Sequence, residues 1–454
     1  MTIGAKKIDA TKGPLIPLII SFAIPLILTT LLQQLFNAVD IAVLGNMADT
    51  TAVASVGATT TIIHLIIDAF VGISSGAKIV LSRLFGRNDE KEIKRTIDTS
   101  LIVAIGFGIF IAIAAFFLAP LFLELTKCPS ECRDGATLYI RIYVMAAPAI
   151  LLYNYGAAVL TSSGDSRRPL YFAIASGLLN VVLNVVLCLI LTEKVAAVAI
   201  ATAASQVLAA TLMILRLRRL DGVLKVRMTA LRFHFHAFSQ LMRFGVPLSL
   251  QTLVYPLANL QIAAAINSYG VVCVAGNSAA STMHQLTASF RTAFGTAAAT
   301  FMGQNLGAEN PKRVRASFVH CTWMCLALCL PICFLEWFLG PWWLQIFLGQ
   351  DTAAIGYAMI RVAILNSFAF FLLMNAVMGP AIQAFGYPVF SAINAVTWTL
   401  GFRIFWMHVI YLSYSSYANL ILCFGVSWAL TFLCNAVILT VLYRRYRKGK
   451  YKRI

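Results

Sequence analysis

Gln33, Asn37 and Asp40 fall at i, i+4 and i+7 of the stretch LLQQLFNAVDIAVLG (residues 31–45), a spacing that lines them up on one face of a helix. Asp40 is the only formal charge between Gly13 and Met47. A carboxylate in so apolar a run is costly, and an asparagine could make similar hydrogen bonds without the charge. Asp40 therefore reads as a group that binds and releases a proton or holds a sodium ion. Other polar side chains recur at helical spacing: Asn180 and Asn184 one turn apart, with Ser176 and Cys188 on the same stripe; Thr202 and Gln206 one turn apart; Thr61, His64 and Asp68 in succession; and Asn154 between Tyr153 and Tyr155. None of these can face lipid cheaply, so they should turn inward and meet. The bland alternative is interhelical hydrogen bonding, worth about 0.6 kcal/mol each, and the residues alone favour it for the threonines and Gln206.

The elements that must position these groups are membrane spans. Of 454 residues, 60% are hydrophobic and 11% charged, against about 25% charged in a soluble domain. Twelve apolar spans are expected, at 15–44, 52–81, 97–123, 136–160, 169–191, 195–215, 240–267, 273–302, 314–340, 354–380, 388–410 and 417–443, each long enough to cross a bilayer. The first is too long for a signal-peptide core, so no cleavable signal is expected. The fold class is an all-α integral membrane protein. The net charge of +18 resolves on the same plan: 27 of the 35 Lys and Arg lie in the termini and every second loop, counting Arg243 and Arg315 at the adjoining span ends, and Lys127, Arg133 and Lys194 in the loops between. That alternation puts both termini on the cytoplasmic side of the membrane and argues against nucleic-acid binding. The basic tail at 444–454 reads as an anchor touching anionic lipid.

Two halves are visible. A shift of 221 positions lays residues 40–61 on 261–282 without a gap, with eleven identities over 38–95. The expected plan is an N-terminal lobe (1–215), a cytoplasmic linker (216–239), a C-terminal lobe (240–443) and the tail. Six spans per half bring both halves into the membrane in the same direction, related by a two-fold axis along the membrane normal, a plan suited to alternating access. The second half has Gln261 where Asp40 would repeat, and carries His284, Arg291, Arg361 and Arg403, with Glu336 near a helix end. Arg291 could pair with Asp68 or a helix carbonyl. The asymmetry points to the first half as the binder of the cation. Cys321, Cys325, Cys329 and Cys333 form a slowly drifting stripe on one helix, which reads as packing, since one stripe cannot surround a metal. Cys128 and Cys132 share an external loop at a spacing that permits a bridge.

Several short motifs resemble the multidrug and toxic-compound extrusion (MATE) transporters, in particular their prokaryotic DinF-like branch. Pro25 followed by Asp40 resembles that family's first span. GDSRRPL (164–170), LNVVLN (179–184), AVAIATAAS (197–205) and GQNLGAENPKRVR (303–315) resemble later loops and spans, in order. The resemblance implies a transporter rather than an enzyme: a monomeric antiporter exporting a drug or organic cation, driven by a proton or sodium ion and needing no other cofactor. It implies a cation site at Asp40, Asn180, Asn184 and Thr202. The chain departs from the family at Asn184, where relatives carry an acid, and loss of a second carboxylate weakens the case for sodium. A substrate cavity is expected around Gln33, Asn37, Asp68, Asn154, Tyr155, Gln206, Gln261, His284 and Arg291, for a small cationic or amphipathic organic molecule. A lipid-linked-precursor flippase of the same superfamily is the first rival. A membrane-embedded transferase is the second, and it lacks paired acidic metal motifs here.

Overall fold

The computed structural model describes residues 8–47, 50–126 and 128–449. Residues 1–7 and 450–454, Ala48 and Asp49 of the first expected external loop, Lys127, and the side chain of Thr61 lie outside the described residues, and with them the end of the expected basic tail. Hydrocarbon offers no partner to a backbone N–H or C=O, so apolar runs close their bonds within themselves as helices. The helices are α1 (Leu15–Met47), α2 (Thr50–Arg87), α3 (Glu90–Leu125), α4 (Ser130–Val144), α5 (Ala147–Ser162), α6 (Arg167–Ile190) and α7 (Lys194–Arg219). After two 3-10 turns come α8 (Phe235–Ser268), α9 (Val271–Gly307), α10 (Pro311–Phe338), α11 (Gly340–Leu348), α12 (Thr352–Ser367), α13 (Ala369–Ala384), α14 (Pro388–Ala395), α15 (Phe402–Phe405) and α16 (Tyr417–Arg447). The π-helical stretches Val396–Gly401 and Trp406–Tyr411 flank α15.

All twelve expected spans are present once α4 with α5, α12 with α13, and the run 388–411 are each taken as one segment; α11 is an additional short helix. Among the described residues, seven helices are by themselves long and apolar enough to cross a membrane, nine when each bent pair is joined. The remaining three segments are α8, α9 and 388–411. Their polar side chains, such as Asn259, His284, Arg291 and Arg403, dilute the apolar signal. Phe117 and Ile190 are 72% and 71% exposed, as side chains facing acyl chains would be.

The internal repeat extends to backbone detail. The bend between α4 and α5 is 47°, and the bend between α12 and α13 is 56°, at corresponding positions of the two copies. Asn88 and Glu309, 221 positions apart, both adopt φ of 55° in the turns after α2 and α9. Asp89 and Asn310 then cap α3 and α10, their side chains accepting from the N–H groups of Glu92 and Arg313.

The chain forms two compact units, one of Met1–Asp9 with Leu28–Ser249, the other of Ala10–Ile27 with Leu250–Ile454. The division falls inside α1 and α8 rather than in the linker, so each unit holds the beginning of the other copy's first helix. Hydrogen bonds explain this in each case. In the second unit Gln304 accepts from Ala10 N at 3.0 Å, Asn305 donates to Ala10 O at 3.0 Å, and Arg313 donates to the carbonyls of Ala10, Lys12 and Gly13 at 2.7–2.8 Å. These three side chains belong to the motif at 303–315, and they tie down the strand entering α1. In the first unit Lys94 donates to Lys225 O at 2.9 Å, and His234 N donates to Thr99 Oγ1 at 3.1 Å, tying the segment that enters α8. The first unit's core is built on α2 to α5, with Leu151, Tyr155 and Ile140 fully buried. Gly76 and Gly245 let α2 and α8 touch backbone to backbone: a Cβ on Gly76 would lie 2.7 Å from Gly245 Cα.

Candidate functional site

Three helices of the first unit converge on Asp40. α1 supplies the aspartate, α6 supplies Asn180 and Asn184 one turn apart, and α7 supplies Thr202. Asn184 Nδ2 donates to Asp40 Oδ1. The same nitrogen lies 3.3 Å from Asn180 Oδ1, and Asn180 Nδ2 donates to Thr202 Oγ1 at 3.4 Å. Thr202 passes the line on to Val198 O at 2.9 Å. The four residues proposed from sequence as a cation site therefore form one connected chain of hydrogen bonds. Asp40 is half-buried, while Asn184 is fully buried and its Oδ1 has no hydrogen-bond partner among the described residues. Carboxylate, amide and hydroxyl oxygens are the hard ligands that a proton or a sodium ion takes.

The packing that brings α1 to α6 rests on one small residue. Gly177, two turns before Asn184, faces the Phe36 ring, and a Cβ there would overlap the ring. A cavity of about 90 Å³ opens beside Asp40, lined among others by Gln33, Asn37, Tyr153, Asn180, Thr202 and Gln206. A liquid water molecule occupies roughly 30 Å³, so the space suits an ion with a few waters and falls short of the roughly 300–1,000 Å³ of a drug-sized site.

The remaining candidates divide. Gln33, Asn37 and Gln206 line the small cavity beside Asp40. Tyr155 does not: it is fully buried in the core, and its neighbour Tyr153 lines the cavity instead, donating to Pro169 O at 3.1 Å. Asn154 turns back to its own helix, bonding Ile150 O at 2.9 Å. Asp68 is half-buried on α2 and lines neither this cavity nor the one in the second unit. Gln261 is exposed and likewise lines neither. His284 and Arg291 line a cavity of about 300 Å³ within the second unit. Sequence reasoning missed Tyr139 on α4, which stands against Asp40 and Thr202 and stacks on Tyr143 at 6.3 Å. Its signal was available: Tyr139 and Tyr143 are one turn apart and share a helix face. Cys128 and Cys132 are both free thiols, and so are the four cysteines of α10. Among the described residues no cluster of three or more His, Cys, Asp or Glu could hold a metal ion.

Comparison with known proteins matches this geometry to one family. The family model MatE matches twice, over residues 25–186 and 247–407, its two starts displaced by one position from the shift that aligns the halves. The chain is 25% identical over 386 residues to the "Probable multidrug resistance protein YpnP" of Bacillus subtilis, covering 84% of this chain and 85% of that protein. It is 20% identical over 264 residues to the multidrug export protein MepA of Staphylococcus aureus, 58% of each chain. In fold it resembles a MATE crystallised in complex with MaL6, with a TM-score of 0.88 at 19% identity, covering 99% of this chain and 100% of that one. A MOP superfamily transporter from Pyrococcus furiosus matches with a TM-score of 0.85 at 20% identity over 98% of both chains. With the family model covering most of its length in two copies, the chain belongs to the MatE family and is a transporter, not an enzyme.

Proposed function

We propose that the protein is a cation-coupled antiporter that exports small organic molecules by alternating access, as a monomer in a bacterial cytoplasmic membrane with both termini inside. The observation that carries this reading is the hydrogen-bonded line from Asp40 through Asn184 and Asn180 to Thr202. A carboxylate held by an amide donor is charged when the site is empty and neutralised when a proton or sodium ion arrives, and the exchange of these two states is what couples a gradient to transport. The single carboxylate favours the proton, since sodium binding gains from a second negative ligand. The names of the relatives support multidrug export as the role. The second-unit cavity, at about 300 Å³, has the volume of an organic ligand's site and is small for a lipid-linked sugar precursor, so the flippase reading gains nothing from it.

The test is flux of a fluorescent drug from liposomes containing the purified protein, under a proton gradient and a sodium gradient imposed separately. Export driven by the proton gradient, lost in Asp40→Asn, is expected. Normal gradient-driven export by Asp40→Asn would refute the coupling role.

A further inference from the structure

The cavity of the second unit is lined by positive charge and by hydrogen-bond donors that the coupling chemistry does not use. Arg291 of α9 and Arg361 of α12 line it, with Asn277, Tyr255, Phe424 and Trp428. Arg403 of α15 stands behind them, 1% exposed, its guanidinium 4.4 Å from the Phe424 ring centroid and 5.2 Å from that of Tyr255. Among the described residues no acidic side chain lines the cavity. Glu336, on which the Arg291 charge acts, lies outside the lining and accepts from Thr287 Oγ1. Three cations thus face one anion, and among the described residues the ion pairs found are Lys94–Asp98, Arg95–Glu92 and Arg168–Asp165, none of which involves them.

The hydrogen bonds point the same way. Arg361 Nη1 donates to Asn277 Oδ1 at 2.7 Å, and Arg403 Nη1 donates to Asn259 Oδ1 at 2.8 Å. Asn277 Oδ1 also accepts from Tyr417 Oη at 3.3 Å, so both its lone pairs are taken and what Asn277 still offers the cavity is N–H. Arg361 Nε, Arg291 Nη1 and Trp428 Nε1 are buried without a partner among the described residues, and these three atoms can only donate. Buried donors and buried cations are held in a fold only where something answers them. A cationic cargo supplies neither acceptors nor charge; an anion supplies both. Between the polar groups stand flat rings, with His284 stacked on Trp428 at 6.1 Å and 8° and Phe424 beside it.

We propose that the second unit binds an organic acid: a carboxylate, sulfonate or phosphate head held by Arg291 and Arg361, on an aromatic body lying along Tyr255, Phe424 and Trp428. The inference rests on the export reading only in naming this acid as cargo; the binding itself does not depend on coupling. It departs from the expectation of a cationic substrate.

The test is calorimetric titration of the full chain in phosphatidylcholine nanodiscs with three probes sharing one ring: 2-naphthoate, its neutral amide, and the naphthylmethylammonium cation. Naphthoate is expected to bind at least about tenfold more tightly than the other two, and Arg361→Gln and Arg291→Gln each to weaken it by about tenfold or more, Arg361→Lys by less, because the bidentate guanidinium is lost while the charge stays. Asp40→Asn should bind naphthoate as the parent does, so a failure of coupling and a failure of the anion site are read separately. Repeating the titration with phosphatidylglycerol present separates the sources: competition assigns the site to a lipid headgroup, and no competition to a soluble acid. Equal affinity for the three probes, preference for the ammonium, no naphthoate binding, or indifference to both arginine variants would overturn the proposal.

Discussion

Under the proposed function, Asn184 is the residue on which ion choice would turn. It donates to Asp40, and its own Oδ1 is buried and unpartnered among the described residues. An aspartate at 184 would exchange that donor for a second acceptor. Two carboxylates in hydrogen-bond contact cannot both stay ionised, so a cation or a shared proton must lie between them. Asn184→Asp should therefore lower the sodium concentration for half-maximal drug export roughly tenfold, since ligand charge count sets the affinity of hard-cation sites. The measurement is initial export rate against sodium at fixed pH, and an unchanged sodium response would show that residue 184 does not face the ion. Asp40 was legible in the sequence as a lone charge in an apolar run, and Asn180 and Asn184 as one face by their i, i+4 spacing, but it was the family resemblance, not spacing, that put Asn180, Asn184 and Thr202 beside Asp40. Which of Tyr153 and Tyr155 turns to the cavity was not legible. Neighbours two apart on a helix point in widely different directions, and rotation about the helix axis is set by packing partners that composition does not reveal.

At the scale of the element, the contact between α1 and α6 decides whether that line of hydrogen bonds exists. Phe36 fills the notch left by Gly177, one turn before Asp40 on α1 and two turns before Asn184 on α6. A side chain at 177 must push the ring and, with it, α1. Gly177→Val should destabilise the protein by about 1–3 kcal/mol, the usual range for overpacking, and should abolish gradient-driven export by drawing Asp40 away from Asn184. Adding Phe36→Ala to Gly177→Val should restore much of both. Thermal unfolding and export flux on the three variants check this, and a double variant as impaired as the single one would mean that another contact sets the helix spacing. The bent segments were only half legible. Their ends were found by apolarity, but the breaks at 145–146 and at Phe368 carry no glycine, and the proline nearest the first, Pro148, sits in the opening turn of α5, where it fits a helix start. The repeat was the better guide, since both bends fall at the same place in it.

At the scale of the whole molecule, the sequence announced two copies of six spans, and the family model matches twice at nearly the same displacement. What it did not announce was that the division between compact units falls inside α1 and α8. Hydropathy sees each span as one apolar run, and the side chains that tie down the helix entrances, Gln304, Asn305 and Arg313 in one copy and Lys94 and Thr99 in the other, read as ordinary loop polarity. The charge pattern is the whole-molecule property that yields a direct prediction. Lys and Arg number 27 in the termini and alternate loops, against three in the loops between, and this bias orients a polytopic chain because positive loops resist translocation. Nine of the ten cysteines are buried, which leaves a quiet background for labelling. Single cysteines at Glu193, in the turn between α6 and α7, and at Lys91, at the start of α3, both sit on exposed positions. A membrane-impermeant maleimide added to intact cells should label Glu193→Cys and leave Lys91→Cys untouched until the membrane is opened. Export activity retained in both variants ensures that the labelled chains are folded. Labelling of Lys91→Cys from outside, with Glu193→Cys protected, would invert the orientation, and the proton-driven direction of export proposed for Asp40 would invert with it.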